Sequence, residues 1–102
     1  MTMQTTSLKL VTIVTERILE DRLLRKVQEL GAKGYTLTQV TGNGSRGVRS
    51  SEWVGPDTQI QTLVNKEVAS AIVEYVSENY FEHYAVIVYV QDADVVRGQK
   101  YI

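Results

Sequence analysis

The order in which the hydrophobic period changes along this chain constrains its fold more than any single residue does. Residues 8–15 form a β-branched run bounded by polar residues and predict a strand. From Glu16 to Leu30 the period is helical. Leu19, Leu23, Val27 and Leu30 recur on one face, Leu24 widens the stripe, and Gly31 supplies a stop. Residues 35–41 are β-branched and aromatic again, and residues 58–65 repeat the strand pattern. Asn65 is placed to cap a second helix over 66–80, whose apolar face is Ala69, Ile72, Val73, Val76 and Tyr80. Residues 84–91 are almost wholly apolar, which predicts a central strand buried on both faces. Residues 92–102 form a tail that fits no single pattern.

The resulting order, β-α-β-β-α-β, is that of a ferredoxin-like α+β sandwich, with residues 1–102 forming a single domain. A domain of this size buries only about two-thirds of its unfolded surface. Two helices cover one face of a four-stranded sheet. Strands this apolar need cover on the other face too, and the pattern predicts association with further copies of the chain.

Composition removes several function classes. The chain has no cysteine, which excludes a disulfide scaffold, a thiol nucleophile and a thiolate metal site. Its single histidine, His83, excludes a multi-histidine metal centre, and its place between Glu82 and Tyr84 reads as surface. The formal net charge of −1 gives no overall pull toward nucleic acid or an anionic membrane. Residues 1–7 show neither a basic nor an apolar leader region, and no apolar run approaches the ~20 residues of a membrane span. A cytoplasmic protein is expected.

The connection between the two middle strands, residues 42–56, is the informative segment. It carries four glycines, the only proline and no hydrophobic period, and is expected to be a long loop without regular structure. Glycines let backbone N–H groups close around an anion. Ser45 adds a hydroxyl donor, and Arg46 and Arg49 add planar, permanently charged forks suited to phosphate. At about 1.5–3 kcal/mol per charged hydrogen bond, two arginines supply much of the roughly 8 kcal/mol behind micromolar affinity. A merely solvated surface loop has the same composition, so both readings stand at this level. Gly42-x-Gly44-x-x-Gly47 matches the dinucleotide fingerprint in letters only, because no helix follows it. Trp53 fits three roles equally: docking on a partner, stacking on a base, or folding back on its own loop. Tyr75, Tyr80, Tyr84 and Tyr89 fall in helix and strand patterns and read as packing residues.

The segment Gly31-Ala32-Lys33-Gly34-Tyr35-Thr36, followed by Gly42-x-Gly44-Ser45-Arg46-x-x-Arg49-Ser50-Ser51, resembles the PII superfamily. Within it, the resemblance is to the SbtB-like carbon-status sensors of cyanobacteria. It implies a homotrimer with adenine nucleotides (cyclic AMP, AMP, ADP or ATP) bound in clefts between subunits; whether a divalent cation accompanies ATP is left open by the sequence. Residues 42–56 are then the T-loop. By position, Arg46 and Arg49 would hold the phosphates, helped by Gly44 and Ser45. Gly34, Tyr35 and Thr36 would line the adenine side, and Val86 would meet the base through its backbone. The implied partner is the sodium-dependent membrane bicarbonate transporter SbtA, engaged through Trp53, Arg46 and Arg49, with nucleotide-dependent recruitment to the inner membrane. The chain departs from the family in lacking the cysteine-containing C-terminal loop of many SbtB-like proteins, and the basic segment of nitrogen-sensing PII proteins.

A binding protein rather than an enzyme is the leading expectation. The alternatives are slow hydrolysis of ATP or ADP, with Glu52 and Asp57 as acidic groups near the loop, and a structural or metal-tolerance trimer like CutA.

Overall fold

A computed structural model describes residues 4–46 and 51–102. The elements are β1 (Thr5–Glu16), a 3-10 turn (Arg17–Leu19), α1 (Glu20–Glu29), β2 (Thr36–Arg46), β3 (Ser51–Val64), α2 (Lys66–Tyr80), β4 (Val86–Val96) and a C-terminal 3-10 turn (Gly98–Tyr101). The strands form one antiparallel sheet in the order β2-β3-β1-β4. The two crossovers through α1 and α2 lay both helices on one face.

Cross-strand partners share a face, so the register sorts the side chains. Val11 and Ile13 on β1, with Ile60 and Val64 on β3, point toward the helices and are fully or almost fully buried. Leu19, Leu23 and Val27 come down on them from α1 and its leading turn, and Ala69, Ile72, Val76 and Tyr80 from α2. These are the apolar stripes of the sequence, now closed over one core.

The helix ends follow their local chemistry. Asn65 accepts a hydrogen bond from the Val68 backbone N–H at 2.9 Å, satisfying one of the donors that a helix N-terminus leaves open. At the end of α1, Gly31 takes φ +124°, a region that L side chains avoid, and a Cβ there would stand 2.9 Å from Val68 Cγ2. Gly31 is thus required twice, by its backbone and by the close approach of α2.

Three expectations are corrected. The first helix does not begin at Glu16. Glu16 stays in β1, paired with Asp57, because its N–H bonds the Ala85 carbonyl at 3.3 Å and its carboxylate accepts from the Ala85 N–H at 2.7 Å. Residues 42–56 are not irregular throughout. The ladder continues Gly42↔Gly55, Asn43↔Val54, Gly44↔Trp53, Ser45↔Glu52 and Arg46↔Ser51. β1 ends at Glu16↔Asp57, so beyond that point β2 and β3 form a two-stranded ribbon. Pro56 sits just past the last β1 partner, where a missing N–H costs no ladder bond to β1. Lastly, residues 84–91 are not a central strand. β4 is an edge, and Ile87 and Tyr89 are 55% and 42% exposed on the face away from the helices.

Candidate functional site

The loop after α1 and the first residue of β2 bring Gly34, Tyr35 and Thr36 to one cleft of about 240 Å³. Leu10 pairs with Leu63, and Gln61 pairs with both Thr12 and Thr36, so these residues share the sheet face away from the helices. They give the cleft a mixed apolar and amide lining. The Thr62 hydroxyl donates to the Gly34 carbonyl at 2.6 Å and pins the loop from behind. Gln61 Nε2 donates to Thr12 Oγ1 at 3.2 Å. A small-molecule site typically occupies ~300–1,000 Å³. The cleft in one protomer falls just below that range.

The other predicted contacts lie elsewhere. Val86 opens β4 on the opposite edge of the sheet, where it pairs with Thr15, which in turn faces Thr58 and, beyond it, Gln39. With β1 and β3 between them, β4 and β2 are about 14 Å apart. Gly44, Ser45 and Arg46 lie toward the outer end of the ribbon. At about 3.3 Å per residue they are roughly 26–33 Å along β2 from Thr36. Arg49 lies outside the described residues. Trp53 stands opposite Gly44 in the ladder. The fold therefore brings Gly34, Tyr35 and Thr36 together, and holds Val86 and the phosphate candidates apart from them within one protomer.

The base of the ribbon is held by a residue that sequence reading missed. The Glu20 carboxylate accepts from Thr58 Oγ1 at 2.7 Å and from Gln39 Nε2 at 3.0 Å, joining α1 to both strands where they leave the sheet. The Thr58 bond first, and the Gln39 bond after it, hold the Glu20 carboxyl below its ordinary value of 4.5. One signal was visible: a glutamate in the first turn of a helix, otherwise read as a helix-dipole residue. Tyr101 also borders the cleft, from the tail whose structure the sequence left open.

His83 is exposed beside Glu82, its Nε2 lying 3.9 Å from Glu82 Oε1, as a surface residue should be. Tyr80 is buried, with ring contacts to Tyr75 and Tyr84. Among the described residues no three His, Asp or Glu side chains gather as a metal centre, and no helix is long and apolar enough to cross a membrane.

A family model described as nitrogen regulatory protein P-II matches residues 8–100. The chain belongs to the PII family. The match takes in both strands of the ribbon and the whole cleft but for Tyr101. A putative PII-like signalling protein from Thermus thermophilus is 53% identical, with 98% of this chain and 100% of that one covered and a TM-score of 0.84. CPII from Thiomonas intermedia K12, solved with ADP and bicarbonate, is 23% identical over 99% of this chain and 100% of its own, with a TM-score of 0.85. The GlnK–ATP complex of B. subtilis is 19% identical, with 83% and 82% covered and a TM-score of 0.59. The last two likenesses are of fold. This PII chain is thus a PII-like signalling protein by family, with adenine nucleotides present in two solved structures of the same fold.

Proposed function

We propose that this PII-like protein is a homotrimeric sensor that binds adenine nucleotides in clefts between its subunits and signals through the ribbon. One observation carries the reading. The adenine-side residues Gly34, Tyr35 and Thr36 sit on the β2 edge and Val86 on the β4 edge, so only two protomers side by side complete a site. The apolar exposure of Ile87 and Tyr89 on the β4 side supplies surface for that association. β4 being an edge also suits a backbone contact to the base, since an edge strand leaves alternate N–H and C=O groups unpaired.

The phosphates are held by Arg46 and Arg49 with Gly44 and Ser45, and this requires the ribbon to bend back toward the cleft. The fold makes bending inexpensive. A two-stranded ribbon is marginally stable alone, and glycine weakens a strand by roughly 0.5–1 kcal/mol against alanine. A bound phosphate then selects the bent form, and its release restores the extended one. The ligands are AMP, ADP, ATP and cyclic AMP, with a divalent cation joining ATP. The protein acts by binding, not by turnover. The ADP and bicarbonate bound to the Thiomonas relative favour a carbon-status signal. Its output is a membrane bicarbonate transporter of the SbtA kind, met by Trp53, Arg46 and Arg49, which recruit the protein from the cytoplasm to the membrane.

Calorimetric titration tests the phosphate assignment. Arg46→Ala and Arg49→Ala should each weaken ADP binding at least about tenfold, one charged hydrogen bond being worth ~1.5–3 kcal/mol, with the trimer intact. Unchanged affinity in both variants would remove the arginines from the site. An absence of any nucleotide-induced thermal shift in the unaltered protein would favour the CutA-like reading instead.

A further inference from the structure

The C-terminal turn is tied to the sheet by a steric lock. Arg97 adopts a left-handed conformation, φ 67°, and turns the chain back after β4. Gly98 then packs so closely on Thr6 that a Cβ at Gly98 would fall 2.5 Å from Thr6 Cβ. Thr6 shares its face of β1 with Leu8 and Leu10, which the register places on the side away from the helices. The turn therefore crosses the open face of the sheet, and Leu8 beneath that stretch is 4% exposed. The same turn delivers Tyr101 to the cleft of Gly34, Tyr35 and Thr36, its Cε1 standing 3.7 Å from where a Gly34 Cβ would be.

We infer that Tyr101 is the aromatic wall on which the adenine base stacks. The inference rests on the adenine-nucleotide reading above. A purine presents a flat π face, and stacking an aromatic ring on it is worth about 1–3 kcal/mol. Leu10 and Leu63 give the cleft apolar surface, Gln61 and Thr36 give it polar edges, and Tyr101 adds a half-buried ring held in place by the Gly98 lock.

The test is titration of AMP, ADP and ATP into the full-length protein and its Tyr101→Phe, Tyr101→Leu and Tyr101→Ala variants, with circular dichroism to verify folding. Tyr101→Ala should weaken all three nucleotides by a similar factor, about tenfold for a lost base–aromatic stack. Tyr101→Phe should match the unaltered protein, and Tyr101→Leu, which fills space without a π face, should resemble the alanine variant. Should Tyr101→Ala fail to fold, the leucine variant carries the comparison. Normal affinity in the alanine or leucine variant, or a loss that grows with phosphate number, would overturn the role of Tyr101 while leaving nucleotide binding standing. No binding of any nucleotide by the unaltered protein would overturn both.

Discussion

Thr15 is a buried residue whose hydroxyl finds no hydrogen-bond partner among the described residues. A buried hydroxyl without a partner costs about 1–3 kcal/mol, so Thr15→Val, of nearly the same shape, should stabilise the protein by about 1 kcal/mol in urea denaturation. A decrease would mean that the hydroxyl has a partner. Glu20 is the opposite case, a carboxylate with two donors. Its folded value is depressed, so its contribution is full above pH 4.5 and is lost as pH falls through the lower folded value. Glu20→Gln should lower stability at pH 7 by about 1 kcal/mol and flatten the acid limb of the stability–pH curve. An unchanged acid limb would assign that limb to other carboxylates. Neither residue was legible in the sequence as special, because both effects depend on which atoms meet across the fold.

At the scale of elements, the chain announced α2 almost to the residue. An asparagine cap, a clean stripe and a polar opposite face all agree, and Asn65→Ala should cost about 1 kcal/mol in the same denaturation measurement. Strand edges were harder to read. Glycine and proline over 42–56 concealed a ladder that backbone groups make without help from side-chain pattern. Apolarity over 84–91 suggested a central strand when part of it is surface exposed at the edge. Sequence shows that a residue is apolar; it does not show whether its cover comes from its own chain. The ribbon yields a further prediction. Gly55→Val should favour the extended ladder and so weaken ADP binding about two- to fivefold, the equivalent of ~0.5–1 kcal/mol of strand stabilisation. Tighter binding in that variant would contradict the need for the ribbon to bend.

For the molecule as a whole, the topology itself argues for assembly. A sheet order of β2-β3-β1-β4 places the two predicted faces of one ligand site at opposite edges, and the register gives no route for them to meet inside one protomer. The helices cover the core from one side only, leaving Ile87, Tyr89 and the small cleft beside Gly34 on the other. The element order and the family segment at 31–51 were legible in the sequence. The separation of the site residues was not, since it arises from strand order, which sequence period does not encode. Native mass spectrometry of the protein with excess ADP tests the shared-site account most directly. A trimer carrying up to three ADP molecules is the predicted result. A monomer that binds ADP with the same affinity, or a trimer that binds none, would contradict it.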